Sequence, residues 1–480
     1  MAEPGPLPDA TEYLRRMAAG EQTAEGVVRE HLDRLLAGQA SFNGATHVLA
    51  EEALAGARAP RPGLLSGLPV SIKETFCLSG HAVTAGSRVR QPDRCAGDAE
   101  AVRRLREAGA IVIARSNIPE FAMAGETGNP LFGRSANPLN PARTCGGSSG
   151  GEGVLIASGG SALGLGTDIL GSIRIPAAFC GVVGFKPTSD AVSKAGSWPS
   201  GDDGLFVDSW LAAGPLARSV RDARLAYGVL AARKVETGEL PARILSGPGL
   251  AWRVDQPCIE AAVAAARASL EGVGLEPDPT PLPDVRVLFK ALIRLLGHEL
   301  VPHLKGQLAD AHGRPFSVTA ELGRRLAGRG RIYSGLLQLL VLGPVVRTAM
   351  PGGVNRARET VLGARLRIRE ALGADGIIVA PTVGMLAPRH GMMNRQTLKP
   401  GVNLRVTALT FCNCMDLPAI SVPAWQHRDP ETGLVPGVML VGAPGAEGRL
   451  LDAAEHVEAA VGIARGPAAA AGKSMGDSPK

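Results

Sequence analysis

One lysine and one serine stand in surroundings that suit nucleophilic catalysis. Ser172 lies in the stretch GTDILGSIRIP, residues 166–176, where small neighbours would leave its hydroxyl open to a carbonyl carbon. A serine is a poor nucleophile until a base removes its proton, and no histidine lies between His81 and His298. Lys73, near the end of the apolar run LPVSIKETF, can be that base, because burial favours the neutral amine. The alternative is a structural lysine that reaches from the strand end to solvent.

The adjacent serines Ser148 and Ser149 lie in the glycine-rich stretch CGGSSGGEG. Ser149 is at the centre of a G-x-S-x-G pattern, but such a nucleophile elbow follows a strand, and the preceding NPLNPART is predicted to be a loop. Phosphate-binding loops need GxxxxGK followed by Ser or Thr, or GxGxxG, and neither pattern is present. A turn-rich connection is the structural alternative. It does not account for the alternation of serine and glycine across 146–171, whereas a site that needs close backbone approach would require small residues.

Strand and helix patterns alternate around these residues and predict an α/β fold. A period near 3.6 predicts two helices within 8–38, the second capped by Thr23. Within 99–120, a glycine stop at Gly109 separates a helix from a strand. Short apolar runs predict buried strands in 67–76, 111–114, 374–384 and 417–425. The stretch GEGVLIASGGSALGLGTD mixes both signals, and its periodicity leaves the choice between helix and strand open.

Composition and charge exclude several classes of protein. With 45% hydrophobic and 20% charged residues, the 480-residue chain has the composition of a soluble globular protein. A net charge of +6 spread along the chain, with 4% aromatic residues, predicts no nucleic-acid binding. The longest apolar stretch, 332–346, is interrupted by a glutamine, a glycine and a proline, so no transmembrane segment is predicted.

The cysteines and the N-terminal stretch give no sign of a metal site or of secretion. The seven cysteines form no CxxC pair, so we expect neither a zinc site nor a disulfide framework. The N-terminal stretch lacks the apolar run of a secretory signal, and the expected location is the cytoplasm.

The long stretch GGSSGGEGVLIASGGSALGLGTDILGSIRIPAAFCGVVGFKPT, residues 146–188, closely resembles the signature of the amidase signature family. The resemblance extends to LPVSIKETF upstream and to LPAISVPAW and PGVMLVGAPGAEGRLL near the C-terminus, while NPLFGRSANP is most similar to the fatty-acid amide hydrolase branch. It is strong over 65–190, moderate over 375–460 and loose over 190–370. It implies an α/β amidase signature fold, with a large mixed, twisted β-sheet covered by α-helices on both faces.

One domain is expected, because no internal repeat and no linker precedes residue 465. This amidase signature domain would span 1–464, with N-terminal helices in 8–60, the catalytic signature core in 65–190 and a variable helical insertion in 285–350. The small, polar tail 465–480 is predicted to be disordered.

The resemblance assigns a catalytic triad to Lys73, Ser148 and Ser172. Ser172 would be the acylated nucleophile. Ser148, preceded in this family by a cis peptide bond, here from Gly147, would pass the proton of Ser172 to the base Lys73. The same route would then protonate the leaving amine, which amides need more than esters because amines are poor leaving groups.

Other residues would hold the oxyanion and orient the site. The oxyanion hole would consist of the backbone N–H groups of Ile169, Leu170, Gly171 and Ser172. The side chains that orient the loop and the serines would be those of Ser149, Asp168 and Arg174. Two positions depart from the family: many members have Gly at the position of Leu170 and Pro at the position of Cys145. A leucine can still donate its N–H, but its side chain must point away from the substrate or narrow the pocket.

The segment EFAMAG, residues 120–125, is expected by resemblance to line the acyl pocket, through Ala122, Met123, Ala124 and Gly125. These small or apolar residues suit an uncharged acyl group. We therefore expect hydrolysis of a hydrophobic carboxylic amide, fatty-acyl or aryl, with esters as further substrates and without a metal or cofactor. The apolar region 285–346 suits core packing, with an apolar entrance or a weak membrane-surface contact as the alternative. A homodimer is a further alternative.

Three other functions stay open. A glutaminase subunit of a tRNA-dependent amidotransferase would have a Tyr-rich motif in the middle region, which RIYSGLLQLLVLGPVVRTAM does not show. A biosynthetic acyltransferase would use the same acyl-enzyme with an amine in place of water. A binding protein that keeps the fold without activity is disfavoured by the retention of all three triad residues.

Overall fold

Strands and helices alternate along the chain, in agreement with the α/β prediction. The computed structural model describes residues 7–90, 94–199, 203–308, 316–393 and 404–462. The strands are β1 Ala45–Val48, β2 Pro69–Lys73, β3 Ile111–Ser116, β4 Gly128–Asn129, β5 Gly133–Arg134, β6 Ala136–Asn137, β7 Asn140–Thr144, β8 Leu163–Asp168, β9 Val183–Lys186, β10 Ala212–Ala217, β11 Arg243–Leu245, β12 Glu276–Asp278, β13 Gly376–Pro381, β14 Ala419–Pro423 and β15 Gly437–Val441. The helices are α1 Ala10–Ala18, α2 Ala24–Phe42, α3 Ala50–Arg58, α4 Glu100–Glu107, α5 Gly150–Ala157, α6 Arg174–Cys180, α7 Val220–Ala231, α8 Pro257–Glu271, α9 Val285–Leu295, α10 Val301–Gln307, α11 Val318–Leu326, α12 Ser334–Ala349, α13 Val354–Leu372, α14 Thr407–Cys414 and α15 Glu447–Val461.

Eleven of these strands form one mixed sheet, in the order β1-β3-β2-β8-β10-β9-β14-β15-β13-β11-β12. In the part of the sheet that carries the predicted site, β2 runs parallel to both β3 and β8. The next strand, β10, is antiparallel to β8 and to β9. Because β2 and β8 are parallel, their carboxyl ends meet at the same edge of the sheet, and the segments that follow them lie close together.

Helices cover both faces of the sheet, as the resemblance implies. Along β13, Ile377 contributes to one buried apolar cluster and Ile378 to the other, as expected when successive side chains of a strand point to opposite faces. Residues of α4, α7, α8 and α15 belong to the first cluster, and residues of α6, α9, α13 and α14 to the second. The sheet is therefore the middle layer between two apolar cores.

The segment whose periodicity was undecided contains a helix followed by a strand. All eight residues of α5, Gly150–Ala157, are buried, and so are all six of β8, Leu163–Asp168. A helix that is buried on every side has no polar face and therefore no amphipathic period. The two elements could not be told apart by hydrophobicity alone.

Two sequence predictions about the surroundings of these elements are corrected by the structure. The stretch NPLNPART is not a plain loop, since it contributes to a small antiparallel sheet of β6 and β7. The N-terminal segment 8–60 contains the strand β1 besides its helices, antiparallel to β3. Both features involve strands of two to five residues, which are too short to show an alternating pattern.

The structure also joins Cys77 to Cys95 by a disulfide bond, which the cysteine spacing did not predict. The bond lies where the chain after β2 folds back on itself. The N–H of Gly80 donates to the carbonyl oxygen of Cys95, and the N–H of Ala99 donates to that of Cys77. This pairing depends on the path of a loop, so no cysteine motif in the sequence indicated it.

Helices α9 to α12 occupy the region predicted as a helical insertion. Leu288 and Leu292 of α9 and Leu336 of α12 are buried in the second apolar cluster, which agrees with the core-packing interpretation. No single helix that the structure describes is long and apolar enough to cross a membrane; α12 and α13 reach that length and composition only together, and they are bent by 100°. The tail 465–480 lies outside the described residues.

The predicted cap of α2 gives a first test of the fold. Thr23 Oγ1 accepts a hydrogen bond from the Gly26 N–H at 3.1 Å. We expect Thr23→Ala to lower the free energy of unfolding by about 1 kcal/mol in urea denaturation, because the cap is lost. Thr360→Ala is the matched control: Thr360 Oγ1 bonds only the Arg356 carbonyl within α13, so its loss should be neutral. Equal midpoints for Thr23→Ala and the unchanged protein would contradict the assignment.

Candidate active site

Lys73, the predicted base, ends β2 and is completely buried. Its Nζ lies 2.8 Å from Ser148 Oγ, 2.7 Å from Thr167 Oγ1 and 3.3 Å from the Thr167 carbonyl oxygen. The alternative in which the lysine reaches solvent is therefore wrong. Thr167, on the parallel neighbour β8, was not found from the sequence, because nothing in its type or spacing distinguishes it from other buried threonines.

Burial controls the charge of this lysine. Removal from water penalises the ammonium and lowers the pKa of Lys73 to about 7, although the carboxylates of Asp168 and Glu152 oppose the shift. Near neutral pH a large share of the lysine is consequently uncharged and has a lone pair. A neutral lysine in hydrogen-bond contact with a serine is a competent general base.

The serine pair is held between the segment 124–126 and the start of α5. The peptide bond between Gly147 and Ser148 is cis. A Cβ atom on Gly147 would lie 2.7 Å from the Ala124 carbonyl oxygen and 2.9 Å from the Glu126 N–H nitrogen, so only glycine fits here. This packing places Ser148 beside the segment predicted to line the acyl pocket.

Ser149 holds the loop rather than facing a substrate. Its N–H donates to the Ser172 carbonyl oxygen at 3.0 Å, and its Oγ donates to the Thr167 carbonyl oxygen at 3.3 Å. The residue is completely buried. These contacts disfavour the nucleophile-elbow interpretation of Ser149 and join the backbone of the serine pair to that of Ser172.

The loop between β8 and α6 is folded around the carboxylate of Asp168. One oxygen, Oδ1, accepts the Gly171 N–H at 2.7 Å, and the other, Oδ2, accepts the Ile173 N–H at 3.0 Å. Gly171 has φ 112°, a conformation that favours glycine. Within the described residues, the N–H groups of Ile169, Leu170 and Ser172 donate no hydrogen bond, whereas that of Gly171 is engaged by Asp168. Three of the four predicted oxyanion donors are thus free.

Asp168 is itself fixed by a buried polar network. Arg174 Nε donates to Asp168 Oδ2 at 3.1 Å, and both side chains are completely buried. Although burial alone would raise it, Arg174 beside the carboxylate holds the pKa of Asp168 well below its usual range. Asn413 of α14, another residue that the sequence did not reveal, donates to Asp168 Oδ1 at 2.9 Å and accepts from Arg174 Nη2 at 2.6 Å.

A pocket adjoins this loop. It is lined by apolar side chains and four polar ones, Met123, Ile169, Trp198, Pro199, Asp203, Leu205, Val207, Asp208, Leu211, Leu300, His303, Leu304 and Gln307. Of the four residues predicted to bind the acyl group, Met123 is part of this lining, while Ala122, Ala124 and Gly125 are its half-buried chain neighbours. The wall formed by α10 was not predicted as part of a pocket, because its apolar pattern is also that of a core helix.

Leu170 fits the loop without backbone strain. The described non-glycine residues with left-handed φ do not include it. Its side chain is half-buried and packs against the second apolar cluster, to which Val207, Leu300 and Leu304 of the pocket wall also belong. Leu170 does not belong to the lining of this pocket, whereas its neighbour Ile169 does.

Comparison with known proteins gives the family. A model of the Amidase family matches residues 26–451. The chain is 40% identical to fatty-acid amide hydrolase 1 of Sus scrofa over 225 residues, 47% of this chain and 38% of that protein. It is 39% identical to a subunit of the glutamyl-tRNA(Gln) amidotransferase of Rhodopirellula baltica over 233 residues, 47% of this chain and 46% of that protein. The matches thus span about half the length of these curated relatives or less.

Other similarities extend over nearly the whole chain. Indoleacetamide hydrolase of Bradyrhizobium diazoefficiens is 30% identical over 474 residues, 95% of this chain and 86% of that protein. A crystal structure of an amidase superposes with a TM-score of 0.75 at 27% identity, covering 95% of this chain and 100% of the other. With the family match across residues 26–451, these similarities show that the chain belongs to the Amidase family, the amidase signature enzymes.

Proposed function

We propose that this protein is an amidohydrolase that cleaves a hydrophobic carboxylic amide through a Ser-Ser-Lys triad and an acyl-enzyme. The observation that carries the proposal is the 2.8 Å contact between Lys73 Nζ and Ser148 Oγ inside a fully buried site. A buried lysine whose pKa is lowered to about 7 contributes little to stability as an ion-pair partner. It can, however, take and return a proton near neutral pH, which is typical of a catalytic base. Membership of the Amidase family supports the same reaction class.

The neutral amine of Lys73 matches its three partners atom by atom. It has two N–H bonds, which the hydroxyl and carbonyl oxygens of Thr167 accept, and one lone pair, which remains for the Ser148 hydroxyl. Ser148 gives its proton to Lys73 and takes that of Ser172. The Ser172 oxygen then attacks the carbonyl carbon of the amide. Thr167 thus orients the base by occupying both of its N–H groups.

The negative charge that develops on the carbonyl oxygen would be held by the N–H groups of Ile169, Leu170 and Ser172. Each such donor contributes about 3 kcal/mol to lowering the barrier. The proton on Lys73 returns through Ser148 to the leaving nitrogen, the C–N bond breaks, and an amine departs. Water then attacks the Ser172 ester by the same proton route and releases the carboxylic acid.

The lining of the pocket favours an uncharged, hydrophobic acyl group, fatty-acyl or aryl, in amides and esters. Nine of its thirteen residues are apolar or aromatic, including Met123, Leu300 and Leu304. Ile169, three residues before Ser172, belongs to this lining and joins the proposed acyl site to the proposed nucleophile.

The other functions receive less support. An amidotransferase subunit is represented among the relatives, but glutamine is a zwitterion with a polar side chain, and a lining in which nine of thirteen residues are apolar or aromatic suits it less. An acyltransferase would use the same groups, and the partition of the acyl-enzyme between water and added amine distinguishes the two. A binding protein without activity leaves the Lys73–Ser148 contact unexplained.

Location and assembly stay predictions. A disulfide bond such as Cys77–Cys95 is rare in the reducing cytoplasm, so it argues against the expected cytoplasmic location. A weak membrane-surface contact is favoured by α11, which exposes Leu322 and Leu326 beside Arg324 and Arg325. A homodimer is a further proposal.

The substrate class is tested with p-nitroanilides of increasing acyl length. We expect kcat/KM to rise from acetyl towards longer acyl groups, because each added methylene is buried in the apolar pocket. Ser172→Ala should lower turnover by a factor of more than about 10³, since the nucleophile is gone. Activity that survives in Ser172→Ala would refute the assigned nucleophile, and a preference for acetyl would refute the hydrophobic acyl pocket.

The pH dependence tests the base. With the pKa of Lys73 lowered to about 7, the ammonium dominates below that pH and cannot take a proton, so kcat/KM should rise with pH and level off above about 7. Lys73→Arg should lose amide turnover at every pH, because a guanidinium stays charged. Lys234→Ala, at an exposed position, is the control and should keep the profile. Full amide turnover in Lys73→Arg would contradict the mechanism.

The role of Asp168 is tested by stability. Asp168→Asn leaves the Arg174 guanidinium buried without a counter-charge, and we expect a loss of about 3–5 kcal/mol in the free energy of unfolding. Arg174→Met removes the other partner. The double variant should be less destabilised than the sum of the two single ones, which chemical denaturation measures. Additive losses would mean that the two side chains do not act as a pair.

A further inference from the structure

Glu152 is a completely buried carboxyl group for which the mechanism above has no role. It lies in the first turn of α5, three residues after Ser149. The Ser71 hydroxyl, on β2, donates a hydrogen bond to Glu152 Oε2. The second oxygen, Oε1, has no hydrogen-bond partner among the described residues. A buried acid of this kind is costly, so its position calls for a functional reason.

The sheet is shaped to receive this carboxyl. A Cβ atom on Gly164 of β8 would collide with Glu152 Oε2, so any larger residue there would displace the acid. Gly164 pairs with Ser71 across the two parallel strands. The Ser71 hydroxyl and the space left by Gly164 therefore form a slot for the carboxyl group on the face of the sheet that α5 covers.

This slot lies beside the predicted base. Ser71 and Lys73 are two residues apart on β2, so their side chains point to the same face of the sheet. The strand partner of Lys73 on β3 is Ser116, whose hydroxyl also faces the Glu152 carboxyl. Glu152 and Lys73 thus occupy neighbouring places under α5.

The charges that face the lysine can be stated completely for the described residues. From α5 it meets Glu152, from the end of β8 it meets Asp168, and β3 presents the neutral Ser116. Asp168 is neutralised by its ion pair with Arg174. For Glu152, Lys73 is the one charged group that acts on the carboxyl within this part of the chain. Lys73 is thus shared between two carboxylates, of which Asp168 is held by Arg174 and Glu152 has no other cationic neighbour among the described residues.

We propose that Glu152 is a positioning residue that sets the charge state of Lys73: its carboxylate stabilises the ammonium that forms when the lysine takes the serine proton. The inference rests on the proposed function. Burial raises the pKa of Glu152 to about 7, so its charge changes in the same pH range as that of the lysine. Without this carboxylate the lysine would be uncharged over a wider range of pH but a weaker base.

The test measures how fast a fluorophosphonate probe labels Ser172 at different pH values, with the site of labelling located by mass spectrometry. Glu152→Gln keeps the shape and an acceptor for Ser71 but removes the charge. We expect the acid limb of the rate profile to move to lower pH by about 1 unit, because loss of a nearby negative charge lowers the pKa of a lysine. Ser71→Ala should move it in the same direction by less, since the carboxylate loses its donor.

Glu458→Gln is the matched control. Glu458 is also a buried carboxyl whose pKa burial raises, to about 8, but it accepts the Val220 N–H and does not act on Lys73. The acid limb of the Glu458→Gln rate profile should lie at the same pH as that of the unchanged protein. A folded Glu152→Gln variant, verified by circular dichroism, whose rate falls equally at all pH values would show a merely structural role and overturn the inference. No labelling of Ser172 in the unchanged protein would instead overturn the proposed function, so the two failures are distinguishable.

Discussion

The contact between a buried lysine and a serine is the constraint on which the rest of the site depends. An ammonium at the position of Lys73 would have no water, so the site has to stabilise either the neutral amine or the charge with nearby groups. Thr167 binds the amine and Ser148 lies within hydrogen-bond distance of it. Thr167 lies there because β2 and β8 are parallel neighbours whose carboxyl ends meet, and Ser148 because its segment packs against 124–126. The sheet order is thus part of the chemistry.

Close backbone packing is the second requirement, and it accounts for the glycines. Gly147 allows the segment around Ala124 to lie against the serine pair, and Gly164 makes room for the Glu152 carboxyl. Gly171 allows the turn that Asp168 holds. A side chain at position 147 would collide with backbone, and one at position 164 would collide with a buried acid; Gly171 is required by its φ of 112°. The glycine-rich composition of 146–171 is therefore explained by contacts at particular residues rather than by flexibility.

The sequence was informative where residues that act together carry a recognisable local pattern. Lys73, Ser148 and Ser172 each lie in such a stretch, as do the strands and helices around them. Thr167 and Asn413 do not: Thr167 is 94 residues from the lysine that it binds, and Asn413 is 245 residues from Asp168. Their roles come from the sheet order and from the docking of α14, which no local pattern encodes. The same reason hid the pocket wall of α10 and the Cys77–Cys95 bond.

The site separates the groups that would break the bond from those that would choose the substrate. The proposed triad and oxyanion donors lie on β2, in the segment just before α5 and in the loop before α6, all tied to the central sheet by buried hydrogen bonds. Much of the pocket wall instead comes from the segment around Leu205 and from α10, which packs against α12. Under the proposed function, we expect substitutions on α10 to change the preferred acyl group without moving Lys73 or Ser148. Ile169 is the exception, because it supplies one of the proposed oxyanion donors and also lines the pocket. At that residue, we expect a substitution to change the rate and the selectivity of the proposed reaction together.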